Sequence, residues 1–406
     1  MTAPAATARR IPGTRWAVLL ALAWLVLSSC SGDGNGGRGG GGNTNTAGTG
    51  VVTVSLTDGP ACGYSAVNVT VSKVRIHASS NASDGDAGWT DLPLVPAKRV
   101  NLLGLTNGVL ETLAQTGLTA GRYTQIRLVL QPSAAGTAIN SVVPVSGFEQ
   151  VLDTPSAIQS GIKLVSSFTV VEGRTADIVL DFDACKSVVR RGDGTYLLKP
   201  VIRVIPLNTS GAIAGSVVPA AAAAGAIVSA QKAGVVIRST IAETTGAFRL
   251  APVPAADSPY DVVIAAPGFA SAVVTDVPVT AATTTRVSPV GSDIVPPVSV
   301  SRSVSGTVLP ADVGATVRAI QHVGFTNVEI GATNASPAGP YALSLPIAAP
   351  LLAAYSTTLP LSFAAQSAAS GRHSIEASAE SYPSQDDDVD LGTADAVLNF
   401  TLVRAP

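Results

Sequence analysis

Aromatic side chains make up only 4% of this 406-residue chain and charged ones 13%, with one Met, three Cys and three His. Each scarcity excludes something. At a net charge of −2 with no basic stripe, nucleic acid is not an expected partner. His77, His322 and His373 are far apart and no H-E-x-x-H occurs, so a zinc hydrolase has no visible start. There is no G-x-S-x-G elbow to begin a serine hydrolase. Beyond one apolar run near the start, no segment is long and uninterrupted enough to span a bilayer. Ala220–Ala224 is bracketed by Pro219 and Gly225 and reads as a loop. What remains is rich in Val, Thr, Ala, Gly and Pro, a mixture that favours short strands and turns and predicts an all-β fold.

The start of the chain carries an address. Arg9, Arg10 and Arg15 precede the apolar stretch Trp16–Leu27, which fits the hydrophobic region of a signal peptide and is too short for a spanning helix. Leu27-Ser28-Ser29-Cys30 follows at once and resembles the lipobox of bacterial lipoprotein precursors. The resemblance implies removal of residues 1–29, acylation of Cys30 and insertion of its lipid in the bilayer. Each buried CH₂ contributes about 0.8 kcal/mol, so several acyl chains hold permanently. Ser31 in place of Asp resembles the outer-membrane sorting class and implies an outer-membrane location in the bacterial envelope. Cleavage removes three arginines and no acid, leaving 22 basic groups against 27 acidic ones.

With Cys30 assigned to lipid, Cys62 and Cys185 form an even pair in an exported protein, and a disulfide is the natural reading. It would close a loop of about 120 residues and stabilise by roughly 4–5 kcal/mol on chain-entropy grounds. Two separate buried thiols are the alternative.

Residues 30–50 are the lipid-bearing Cys and a Gly-rich tether that cannot bury apolar surface. A first folded domain is expected over 51–207. Val52, Val54 and Leu56 alternate with Thr53, Ser55 and Thr57 as a half-buried strand. A phase slip from Val67, Val69 and Val71 to Val74 and Ile76 predicts a β-bulge near Ser72–Lys73. Leu102–Ala114 reads as a loop and short helix. Glu172-Gly173-Arg174 and Asp193-Gly194 read as hairpin turns. Domains over 211–289 and 304–403 follow, the third repeating the second more loosely, with Gly339-Pro340-Tyr341 in place of Gly246-Ala247-Phe248 and a long insertion over 346–370. The expected architecture is three consecutive β-sandwiches, immunoglobulin-like or transthyretin-like.

Two further resemblances rest on these residues. Val54-Ser55-Leu56-Thr57-Asp58-Gly59-Pro60, the Val67–His77 strand, Trp89 and Gly121-Arg122-Tyr123-Thr124-Gln125-Ile126-Arg127-Leu128 resemble, in order, the bacterial family called domain of unknown function 4382. That family implies a fold and a lipoprotein context and no catalytic residue. The G-x-V, T-x-G-x-F-x-L and Y-x-V-x-x-x-x-x-G-F patterns of the second domain resemble carboxypeptidase-regulatory-like domains, often described as carbohydrate-binding-like, and this is an analogy of fold rather than evidence of a site.

Candidate chemistry is sparse. Asp177, Asp181 and Asp183 alternate on one strand face; Asp181 and Asp183 are the candidates for a metal or an acid–base pair, against a solvated face as the plain alternative. Asp58 reads as a turn-forming carboxylate. Asp386-Asp387-Asp388-Val389-Asp390 reads as a solvated loop. Arg191-Gly192-Asp193 matches the integrin tripeptide at a predicted hairpin tip, where Asp193-Gly194 already has a turn-forming role. Trp89 offers a sugar-stacking face or a rim packing residue. No cofactor is expected. The favoured function is a lipid-anchored, non-catalytic envelope protein that binds a glycan or another envelope protein. The rivals are a carboxylate- or metal-dependent hydrolase of envelope polymers and a passive stalk.

Overall fold

The structure is a computed structural model that describes residues 48–59, 63–133 and 137–404. Strands dominate it, and no helix among the described residues is long and apolar enough to cross a membrane. The described residues form one compact unit around three main hydrophobic cores.

The first core lies between two sheets. One has four strands, Ile202–Pro206, Thr175–Phe182, Thr49–Asp58 and Glu111–Thr119, in that order. Thr49–Asp58 runs parallel to Thr175–Phe182, with Asp58 opposite Phe182. The other sheet has eight strands built around Tyr64–His77. At 14 residues, that strand pairs with Ser141–Pro144 through its first half and with Gly121–Leu130 through its second. Its register against both Gly121–Leu130 and Thr90–Asn101 slips between Val71 and Lys73, as the alternation of valines predicts. The bulge lets Val67, Val69 and Val71 and then Val74 and Ile76 all face the core.

The second and third cores share one topology. In the second, Ala247–Pro254, Ser210–Ser216 and Thr284–Arg286 form one sheet, facing Val235–Ile241, Ile227–Lys232, Tyr260–Ala265 and Ala272–Val277. In the third, Pro340–Pro346, Ser301–Leu309 and Ala396–Val397 face Thr326–Asn334, Thr316–Val323, Arg372–Ala379 and Tyr382–Asp390 in the same order. The match extends to single residues. Gly215 pairs with Phe248 and Gly306 with Tyr341, and each ring lies over a glycine where a Cβ would crowd it, at 2.7 Å and 3.1 Å respectively. Gly246 and Gly339, each two residues before its aromatic, both take positive φ, at 91° and 98°, and press on the carbonyls of Val217 and Val308.

Several local readings need correction. Glu111–Thr119 is a strand, and only Leu102–Gly104 is helical, because Leu113 and Leu118 bury against the first core. Pro219–Ala223 is a short helix: Pro at its first turn and an alanine run suit one. Glu172-Gly173-Arg174 joins strands of different sheets, Ile162–Val170 and Thr175–Phe182, so it is an arch between layers and not a hairpin. Asp193-Gly194 does close a hairpin, between Val188–Arg190 and Tyr196–Leu198. Asp386–Asp390 lies within the edge strand Tyr382–Asp390, where carboxylates keep an open edge soluble. The 346–370 insertion sends Leu351–Ala354 across to Ala272–Val277, which it extends as a parallel strand.

Candidate functional site

The polar side chains converge where the three cores meet. Arg238, on the edge strand Val235–Ile241, has a fully buried side chain. Its guanidinium pairs with Asp181 and donates to the Thr57 hydroxyl at 3.0 Å and to the Asp58 carbonyl at 3.2 Å. Burial pushes Arg238 down to about 10, opposed by the charge of Asp58, so it stays protonated at neutral pH. Asp181 is therefore an ion-pair partner at a junction, and the solvated-face reading of that position is wrong. Asp177 and Asp183 on the same face remain partly exposed.

Asp58 is buried as well, which corrects its reading as a simple turn carboxylate. Its Oδ1 accepts from the Ala184 N–H at 3.0 Å, while Oδ2 has no partner. Burial raises its carboxyl well above the ordinary range; the Ala184 bond works against this and nearby Asp183 adds to it. Asp183 caps the short helix Ala184–Ser187 by accepting from the Lys186 N–H and lies 3.7 Å from the Lys186 ammonium. Among the described residues, no three His, Cys, Asp or Glu side chains are grouped as a metal would require.

Side chains seal the rest of the junction by mimicking strand pairing. The Arg203 guanidinium donates to the Ile237 carbonyl, and the Asn107 amide to that of Ile241 at 2.9 Å. Gln231, fully buried, donates to the Glu329 carbonyl at 2.7 Å and accepts from its N–H at 2.8 Å. Gln321, also fully buried, accepts from Ser271 at 2.6 Å and donates to the Ala369 carbonyl at 3.1 Å. None of these residues stands out in the sequence. The available signal is a long polar side chain on an otherwise apolar strand, as with Arg238 in Val235–Ile241, and that pattern is normally assigned to solvent.

Between these contacts lies a cleft of about 820 Å³, within the size range of ligand sites. Tyr64, Lys186 and Arg190 line it from the first core, Ser229 and Val236 from the second, and Glu329 to Tyr341 from the third. Glu329 is answered by Arg318 at 3.1 Å and Lys186 at 3.6 Å. A second hollow of about 1080 Å³ covers the polar face of the third core, with Glu376, Asp386, Asp388 and Asp390 along it.

The remaining sequence candidates fall as follows. Cys30 and Cys62 lie outside the described residues, as does the Cys185 side chain, whose backbone belongs to the helix Ala184–Ser187. Arg191-Gly192-Asp193 occupies the predicted hairpin tip, with Arg191 paired to Asp153 and Asp193 accepting from Thr195 at 2.7 Å. Trp89 is half-buried, with the Arg75 and Arg127 guanidinium groups 4.7 and 4.8 Å from its ring centre and the His77 ring at 5.0 Å, so it packs against a cationic cluster.

Residues 49–200 match the family described as Domain of unknown function (DUF4382). No curated protein matches the chain. Among solved structures, the chain is similar to the Bacillus anthracis TIE protein, at 9% identity and a TM-score of 0.18, over 88% of this chain and 51% of that one. It is also similar to a streptococcal ancillary pilin, at 9% identity and 0.17, over 88% and 99% of the two chains. BcpA, the major pilin subunit of Bacillus cereus, follows at 12% identity and 0.16, over 88% and 100%. The chain thus spans about half the length of the first of these.

Proposed function

We infer that this is a lipid-anchored protein of the bacterial cell envelope with a non-catalytic binding role, and that its ligand is another envelope protein. The observation that carries the non-catalytic reading is the commitment of the candidate carboxylates to structure. Asp181 neutralises Arg238, Asp58 holds the start of a helix, and Asp183 caps that helix and neighbours Lys186. A group so occupied is poorly placed to trade protons with a substrate. Trp89 already packs against the Arg75 and Arg127 guanidinium groups, which compete with a sugar for its ring and favour a protein ligand over a glycan.

The anchor rests on Leu27-Ser28-Ser29-Cys30 behind its apolar run and ahead of the Gly-rich tether. An oxidising compartment suits the proposed Cys62–Cys185 disulfide. Asp58 and Phe182 are register partners on parallel strands, and each cysteine follows within four residues of one of them. Metabolic labelling with palmitate tests the anchor: wild type takes up label and Cys30→Ala does not. Persistent label in the variant, or no label in wild type, would sink it. Peptide mapping without reductant should recover Cys62 and Cys185 in one linked fragment.

A further inference from the structure

Two strand edges open onto the junction cleft. Val188–Arg190 ends its sheet and, among the described residues, pairs only with Tyr196–Leu198. The bonds from Arg191 N–H to the Thr195 carbonyl, 2.8 Å, and from Lys199 N–H to the Ser187 carbonyl, 2.7 Å, flank that pairing. Hydrogen-bonded pairs alternate along an antiparallel ladder, so the N–H and C=O of Arg190 point out of the sheet. Thr326–Asn334 is likewise an edge strand. The Ala335 N–H bonds the Ala315 carbonyl at 2.9 Å, which by the same alternation turns the N–H and C=O of Ala332 outward. Arg190 and Ala332 both line the cleft, and Gly192 approaches Pro337 there, with 3.7 Å between a Cβ on the glycine and the proline ring.

Elsewhere at this junction the open edges are capped. Arg203 and Asn107 serve the outward carbonyls of Val235–Ile241, and Gln231 serves both backbone groups of Glu329. Among the described residues, no side chain caps the outward N–H and C=O of Arg190 and Ala332 in this way. Unsatisfied edges are templates for another strand. Charge narrows the choice of occupant. Asp183 and Glu329 are answered by Lys186 and Arg318, and Arg191 by Asp153, whereas Arg190 has no carboxylate partner among the described residues.

We propose that the cleft receives an extended segment of a partner protein as an added strand, and that this segment carries an acidic side chain opposite Arg190. This rests on the binding reading above and names the chemistry of its partner; the palmitate experiment tests the anchor separately.

The test is selection of 12-residue peptides from a random display library on the full chain, then amide hydrogen exchange with an enriched peptide bound. Enriched peptides should alternate β-branched residues around an acid and slow exchange at Arg190 and Ala332 at least tenfold. Ala332→Pro removes an N–H that the ladder does not use, which edge strands tolerate. It should weaken binding at least tenfold with little change in melting temperature. Arg190→Glu should weaken binding as much, and changing the peptide's acid to Lys should restore it. Failure to enrich any peptide, binding indifferent to both substitutions, or protection at another edge overturns the proposal. So does concentration-dependent protection of the two amides without peptide, which would make the occupant a second copy of this chain.

Discussion

Arg238 and His373 show how a single buried group sets stability here. Removing the Arg238 guanidinium strands the Asp181 carboxylate and the Asp58 carbonyl in the junction, and breaking a buried pair costs about 3–5 kcal/mol. Arg238→Met should lower the urea midpoint accordingly, and adding Asp181→Leu should recover most of the loss, because the pair is then replaced by apolar contact. If the double variant is no more stable than the single one, the pair is not what holds the junction. His373 works through pH. Burial pushes its imidazole down to about 4, with the Nε2 contact to the Pro346 carbonyl, 3.0 Å, opposing. In the unfolded chain it titrates near 6.5, so between about pH 6.5 and 4 only the unfolded chain takes up the proton. Stability therefore falls as pH drops through that window, by up to about 3 kcal/mol, and is fully present above it. His373→Gln should flatten that part of the curve, measured as urea unfolding at pH 7.5, 5.5 and 4.5; an equal fall in both proteins would show that another group is responsible.

Strand edges carry the same logic at the level of elements. Tyr382–Asp390 is the open edge of the third core and bears four aspartates, whereas its counterpart Ala272–Val277 is covered by Leu351–Ala354. One edge is protected by charge and the other by an added strand. Asp386→Val with Asp388→Val should therefore leave the monomer folded and promote self-association, seen as a rise in sedimentation coefficient with concentration that wild type lacks. Unchanged sedimentation would mean the edge is protected by something other than its charges. The alternation that exposes these strands is also what made them legible. Val52–Leu56, the Val71–Lys73 bulge and the Asp193-Gly194 hairpin follow from side-chain period and turn chemistry alone. The arch at Glu172–Arg174 was not legible, because a turn has the same residues whether its strands pair or part into two sheets. The crossing of Leu351–Ala354 was hidden for a similar reason: its partner lies some 80 residues away and leaves no local pattern. The candidate site was the least legible. Arg238, Gln231, Gln321 and Asn107 look like surface residues until their partners from other cores are in place.

Those partners make the described residues behave as a connected body. The first and second cores meet through Arg238, Arg203 and Asn107, and the second and third through Gln231, Gln321 and the buried cluster Val263, Val273, Val323 and Val328. Lys186 reaches from the first to Glu329 of the third. Buried polar contacts of this kind are costly to open one side at a time, since each leaves a desolvated partner behind. A tethered row of independent domains would lack them. Folding should accordingly be cooperative across the junctions: calorimetry of the full chain is expected to give one transition with calorimetric and van't Hoff enthalpies in agreement. Arg238→Met should split off a lower-melting transition belonging to one side of its junction, because it removes three of the contacts that couple the cores while leaving each core intact. Two or three separated transitions in the wild-type chain would instead mean that the junctions contribute little, and that the cleft they frame opens and closes freely rather than standing preformed for a partner strand.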